Sequence, residues 1–118
     1  MQLNLNNYCD ISKVITNSEY ANEKGIKVKS RDDLFILNYE KNKLDKENVS
    51  SLGLFRSVIS DGEKIICFSP PKSEKYVDFI NKKIKYESIE LEDFIEGTMI
   101  NLFYYKEEWN CATKGNIG

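Results

Sequence analysis

Two basic stretches of this sequence suit the binding of an anion. Arg56 lies in the apolar stretch LFRSVIS, where an arginine side chain must either pair with an anion or reach water. Lys72 and Lys75 follow a Pro-Pro pair at the predicted start of a helix, where free backbone N–H groups and a lysine together suit a phosphate. Ordinary surface residues give the same two patterns. The arginine could pair with a carboxylate, and the lysines could lie in a solvated first turn of a helix.

An acidic residue and a glycine lead into the predicted strand TMINLFYY. Glu96 supplies the carboxylate, and Gly97 permits close approach of the backbone to a ligand, although the same pair also suits a turn or a bulge. Lys114 follows the strand that is predicted to pair with TMINLFYY, so it is expected near Glu96 at one end of a hairpin. We expect these residues to converge with Arg56 and Lys72 on an anion site.

The composition excludes several kinds of chemistry. Because its 118 residues include no histidine, the chain lacks Ser-His-Asp and Cys-His mechanisms and the commonest zinc ligand. Its three widely spaced cysteines form no Cys-x-x-Cys pair, which argues against a disulfide scaffold or a structural zinc site. The net charge of -2 provides no global basic field, so any contact with a nucleic acid requires a local patch.

The length of the chain suits one domain, over residues 1–118. The start MQLNLNNYCD lacks the basic and apolar regions of a signal peptide, and no apolar run approaches the length of a membrane span. We therefore expect a cytoplasmic protein without a membrane partner. The sequence does not predict the oligomeric state.

Periodicity in the first half of the chain predicts one helix and two strands. The helix is expected over 10–25, and the strands over 26–30 and 33–41. The second strand contains four consecutive apolar residues, which is typical of burial on both faces. Residues 42–53 are polar and predict a loop with at most a short helix.

Two hairpins and a second helix complete the predicted fold. LFRSVIS and EKIICFS flank Asp61-Gly62, a dipeptide that favours the primed turns of hairpins. A helix is expected over 72–84, because Tyr76, Phe79 and Ile80 recur at helical spacing. TMINLFYY and WNCAT predict the second hairpin. The fold class expected is α+β, a largely antiparallel sheet with two flanking helices.

These segments, taken in order, resemble a known family. LFRSVI, DGEKIICFSPPKS and FIEGTMINLFYYKEEWNCATKGNIG are similar to the adenylyltransferase domain of phage-type RNA ligases, including divergent RNA-ligase-like proteins of giant DNA viruses. The resemblance covers residues 34–118. It implies an incomplete domain of the covalent nucleotidyltransferases, and a viral protein in the host cytoplasm.

The resemblance also implies a reaction and its ligands. In this family a lysine of a Lys-x-Asp/Glu-Gly motif attacks the α-phosphate of ATP or GTP with the help of a divalent metal, and the nucleotide passes to a 5′-phosphate or diphosphate end. The implied ligands are therefore ATP with Mg²⁺, and an RNA 5′-phosphate end. The implied nucleotide-binding residues are Arg56, Lys72 (or Lys75), Glu96, Gly97 and Lys114.

The sequence departs from the family at the nucleophile. The register of the motif places Phe94 in the lysine position, and a phenyl ring cannot attack phosphorus. Lys72 or Lys114 could replace the missing amine only from a different place, and nucleophile geometry tolerates little displacement. The later motifs of the family, which supply metal-side carboxylates and further lysines, would follow Gly118, so we expect the N-terminal part of a longer domain.

Three hypotheses follow from these observations. We expect a degenerate or partial nucleotidyltransferase domain that binds a nucleotide or a nucleic-acid end without forming a lysyl-nucleotide. The first alternative is an active RNA ligase or capping-type enzyme that uses a displaced lysine. The second is an interaction module in which the pocket is vestigial. The sequence does not choose between ATP and GTP, or between RNA and DNA.

Overall fold

The computed structural model describes residues 4–118, which contain a four-stranded sheet and a separate two-stranded hairpin. The larger sheet has the strand order β1-β2-β3-β4, and all of its pairings are antiparallel. Its strands are β1 (Ile26–Arg31), β2 (Leu34–Tyr39), β3 (Val58–Ser60) and β4 (Ile65–Phe68). The α+β class and the antiparallel sheet are thus confirmed.

Strand β2 is buried on both faces, as its apolar run predicts. Because side chains alternate along a strand, Leu34 and Ile36 point to one face while Leu37 and Tyr39 point to the other. Each pair belongs to a different hydrophobic cluster. The sheet therefore separates two cores, and β2 contributes to both.

The first core is covered by two short helices rather than by the single helix predicted over 10–25. Helix α1 (Ile11–Thr16) ends and helix α2 (Ser18–Glu23) begins at Asn17, whose backbone is extended with φ -129°. The Asn17 side chain accepts a hydrogen bond from the backbone N–H of Tyr20 at 3.0 Å, so it caps α2. An asparagine that can cap a new helix competes with continuation of the old one, which explains the break.

The second core is covered by the predicted second hairpin. Strands β5 (Asn101–Tyr105) and β6 (Glu108–Ala112) pair antiparallel and bury Phe103 and Ala112 against the face of β2 that carries Leu34 and Ile36. The hairpin is tied to the sheet by a polar contact, because the Tyr105 hydroxyl donates a 2.9 Å hydrogen bond to the carboxylate of Asp33.

The first hairpin is present, but its turn differs from the predicted two-residue turn. The loop spans four residues, 61–64, and the Asp61 carboxylate accepts hydrogen bonds from the N–H groups of Glu63 and Lys64. An aspartate that bonds the backbone two and three residues ahead closes a loop of its own. Strand β3 is also shorter than predicted, and Arg56 precedes it instead of lying inside it.

The helix predicted over 72–84 is reduced to α3 (Tyr76–Ile80). Tyr76 is 75% exposed and Ile80 is 51% exposed, so the apolar face that the spacing predicts packs against no core. No side chain caps its first turn, and a helix this short is not stable without packing. Residues 81–100 then run as irregular chain, with one 3-10 turn at Tyr86–Ser88.

Candidate anion-binding site

The charges of two basic residues that the sequence singles out, Arg56 and Lys72, act on a third, Lys114. Burial lowers the pKa of the Lys114 ammonium, and the neighbouring charges of Lys41, Arg56 and Lys72 lower it further. Arg56 and Lys114 are half-buried, whereas Lys41 and Lys72 are exposed. We call these four residues the cationic cluster.

The amide of Asn38 joins the two half-buried members of the cluster. Its Nδ2 group donates a hydrogen bond to the backbone carbonyl of Arg56 and another to that of Lys114, both at 2.8 Å. These partners are 18 and 76 residues away along the chain. A side chain of β2 thereby holds together the segment before β3 and the segment after β6.

Tyr39, the next residue of β2, contacts the ammonium group of Lys114 through its ring. The Lys114 Nζ atom lies 5.4 Å from the centroid of the Tyr39 ring, within the range of a cation–π contact. The ring itself is buried, and the Tyr39 backbone N–H donates to the carbonyl of Phe55 at 2.7 Å. Because Phe55 directly precedes Arg56, Tyr39 contacts both the segment that carries Arg56 and the side chain of Lys114.

A backbone hydrogen bond joins the segment that carries Lys72 to Gly53. The Lys72 N–H donates to the Gly53 carbonyl at 2.9 Å. A Cβ atom on Gly53 would lie 3.4 Å from the Lys72 Cβ and 3.5 Å from a methyl group of Val49. A Cβ at position 53 would therefore make ordinary van der Waals contacts with Lys72 and Val49.

The cluster is not neutralised by ion pairs with carboxylates. Within residues 4–118, the salt bridges are Lys46–Asp78, Lys82–Glu74 and Lys106–Asp33. None of them includes a member of the cluster. A half-buried lysine whose pKa is lowered by burial and by three neighbouring cations, with no carboxylate bound to it, forms a site that an anion would stabilise.

An open cavity of about 530 Å³ lies beside the cluster and adds two lysines to it. Lys27 of β1 pairs directly with Asn38 of β2, so both side chains lie on one face of the sheet. Lys29 shares that face, and its Nζ donates to the carbonyl of Gly115 at 3.3 Å. The cavity is lined by Lys27, Lys29, Asn38, Tyr39, Glu40, Lys41, Asn42, Lys114 and Gly115.

The structure does not bring the acidic half of the predicted motif to the cluster. Glu96 and Gly97 lie in the irregular segment before β5, which begins only at Asn101. Among the protein atoms, none lies within 4 Å of the position that a Cβ on Gly97 would occupy. Phe94 is 90% exposed, and Lys75, the alternative to Lys72, lies on the surface just before α3.

The residues present do not fit the Mg²⁺ ion that the resemblance implies. Among residues 4–118, no three histidine, cysteine, aspartate or glutamate side chains are grouped so that they could hold a metal. Hard cations such as Mg²⁺ need carboxylate or carbonyl oxygens, and the cluster consists of cations. The cluster does fit the phosphates of ATP, which are anions.

Neither Asn38 nor Lys41 was predicted as a site residue. An asparagine in a strand gives no sequence signal when the carbonyls it binds are distant along the chain. Lys41 stands at the end of the predicted strand 33–41, and only the fold shows that it lines the same cavity as Lys114.

Comparisons with known proteins neither support nor oppose the resemblance to RNA ligases. No protein-family model, curated protein or solved structure matches the chain. In the part of the chain that the structure describes, no helix is long and apolar enough to cross a membrane. The family assignment therefore stays a prediction from the sequence motifs.

Proposed function

We propose that this domain binds a phosphate-bearing ligand, either a nucleotide or the 5′-phosphate end of a nucleic acid, at the cationic cluster. The observation that carries the proposal is that the Asn38 amide joins the backbones of Arg56 and Lys114, while Lys41 lines the same cavity as Lys114. The charge of Lys72 also acts on Lys114, and none of the four cations pairs with a carboxylate within residues 4–118. Like charges held together repel one another, and a phosphate on the cluster relieves that repulsion.

The side chains of β1 favour a nucleic-acid end over a free nucleotide. Lys27 and Lys29 are two residues apart on the same face, which places them about 7 Å from each other along the strand. They line the cavity that also contains Lys114. A strand whose terminal phosphate lies on the cluster can place its next phosphates beside these lysines, whereas a mononucleotide has no second backbone phosphate to place there.

The proposal includes no lysyl-nucleotide intermediate. Phe94 stands where the family's motif has its lysine, and in this structure that position is an exposed residue of an irregular segment. The domain we propose is thus a degenerate or partial relative of the RNA-ligase-like nucleotidyltransferases, which acts by binding. We assign it to the cytoplasm, where its three free cysteines would stay reduced.

One observation favours the active alternative with a displaced lysine. The lowered pKa of Lys114, caused by burial and then by the neighbouring cations, raises the fraction of neutral amine at a given pH. In that reaction the Nζ lone pair would attack the α-phosphorus of ATP. A P–N bond would form, the P–O bond to pyrophosphate would break, and the amine would release a proton.

Titration of fluorescently labelled ligands tests the proposed binding. We expect a 5′-phosphorylated single strand to bind more tightly than ATP, and Arg56→Ala to weaken both by roughly tenfold or more, as expected for loss of a charged hydrogen bond. Lys83→Ala removes an exposed lysine outside the cluster and should leave both affinities unchanged. If the wild-type protein binds neither ligand, the cluster is vestigial and the interaction-module hypothesis stands.

Incubation with α-labelled ATP and a divalent metal separates binding from catalysis. We expect no label on the protein after denaturation. A covalent label that persists in Lys72→Ala but disappears in Lys114→Ala would contradict the proposal and establish the displaced nucleophile.

A further inference from the structure

We infer that Asn38 is the positioning residue of the phosphate site, because its amide fixes the distance between the segments that carry Arg56 and Lys114. The inference rests on the proposed function of the cluster. It names a residue that binds no ligand in the proposal and acts through the two cations it holds.

The need for such a tether follows from where the two cations lie. Arg56 precedes β3 and Lys114 follows β6, so neither belongs to the ladder of a strand. The two segments come from different hairpins, and strand pairing does not join those hairpins to each other. The Asn38 amide bonds both carbonyls at 2.8 Å from the sheet between them.

The chemistry of the amide makes this role specific to asparagine. A primary amide nitrogen carries two hydrogens, and here each of them is donated to a different carbonyl. A hydroxyl group has one hydrogen and can hold one segment only, and a carboxylate has none. A single side chain can bond the Arg56 and Lys114 carbonyls at once only if it has two donors in this geometry.

The structure provides a matched control for the loss of such an amide. Asn110 of β6 also donates from Nδ2 to two backbone carbonyls, those of Tyr105 at 3.5 Å and Glu108 at 3.1 Å. Both partners lie in the hairpin that contains Asn110. Its replacement removes the same kind of bonds without removing a tether between cationic segments.

The test compares Asn38→Ala and Asn110→Ala in two measurements, the affinity for inorganic pyrophosphate and the titration of the Lys114 ammonium followed by NMR. We expect Asn38→Ala to weaken pyrophosphate binding by roughly tenfold. We also expect the pKa of Lys114 to rise toward its ordinary value, since the released segment becomes more hydrated and moves away from the other cations. Asn110→Ala should change neither quantity, even if both variants melt at a lower temperature.

Asn38→Thr guards against a folding defect, because threonine suits a strand and keeps one donor. Its pyrophosphate affinity should fall between those of the wild type and Asn38→Ala. The inference is overturned if the Asn38 variants only lose stability and keep the wild-type affinity and Lys114 titration. If the wild type binds no pyrophosphate, the proposed function fails instead, and the Lys114 titration alone still decides whether Asn38 positions the segment.

Discussion

The ammonium group of Lys114 lies 5.4 Å from the centroid of the Tyr39 ring. Asn38, which precedes Tyr39 in β2, donates a hydrogen bond to the backbone carbonyl of Lys114. The negative face of an aromatic ring stabilises the charged form of a lysine. This contact therefore opposes burial and the neighbouring cations, which lower the pKa of Lys114. The charge of Lys114 depends on a balance of these effects.

Replacing the ring of Tyr39 should shift that balance. We expect Tyr39→Leu to lower the pKa of Lys114 further, because the aromatic face is lost while the other cations remain. Tyr39→Phe keeps the face and should leave the titration of Lys114 close to that of the wild type. NMR titration of the lysine side chain measures both. Equal titrations in all three proteins would show that the ring does not act on the ammonium.

Phosphate binding should weaken at alkaline pH earlier than ordinary lysines allow. In the proposed site, Lys114 would bind an anion only while protonated, so its contribution would be present below its lowered pKa and lost as the pH rises through it. Lys114→Arg keeps its charge to higher pH and should bind pyrophosphate with a flatter pH profile. Affinities measured from neutral to alkaline pH decide this, and identical profiles would show that Lys114 does not contact the phosphate.

Acid should loosen the contact between the second hairpin and the sheet. Hydrogen bonds from Lys106 and then Tyr105 lower the pKa of the Asp33 carboxyl below its ordinary value. Stability from this group is therefore complete above the pKa of the unfolded chain and is lost as the pH falls below about 4. We expect Asp33→Asn to have a lower melting temperature than the wild type at neutral pH. On acidification, the melting temperature of the variant should fall less than that of the wild type. Parallel curves for the two proteins would contradict this.

The turn of the second hairpin contains a residue that glycine would suit better. Glu107 has a φ of 65°, a left-handed conformation that L side chains disfavour. Glu107→Gly should therefore raise the free energy of unfolding by about 0.5–1 kcal/mol in urea denaturation. Glu108→Gly, one residue further in β6, should lower it by a similar amount, because an extended strand residue gains nothing from glycine. If Glu107→Gly has a lower free energy of unfolding than the wild type, the left-handed backbone at position 107 does not strain the protein.

The sequence predicts parts of the fold that depend on local pattern. The apolar run of β2 and the strand patterns of both hairpins are such features, and they are confirmed. The helix predicted over 72–84 is mostly wrong, because helical spacing of apolar residues produces a helix only when a core is available to cover that face. The break at Asn17 reflects a cap that competes with a continuous helix.

The sequence predicts the candidate site only in part, because some of its contacts join residues that are distant along the chain. Residue type and context single out Arg56, Lys72 and Lys114. The Asn38 amide joins the backbones of Arg56 and Lys114, and the charge of Lys72 acts on Lys114. Glu96 and Gly97 were assigned from the motif, and the structure leaves them in an irregular segment. The links made by Asn38 span 18 and 76 residues, and such distances are set by the topology of the sheet.

The salt dependence of nucleic-acid binding tests the central claim most directly. The affinity for a 5′-phosphorylated single strand should fall with salt concentration on a logarithmic plot, and Lys72→Ala should reduce the slope by about 0.7, the value for one phosphate contact of a single strand. Lys83→Ala should leave the slope unchanged. Binding that is absent, or equal slopes for the wild type and Lys72→Ala, would contradict a phosphate site at the cationic cluster.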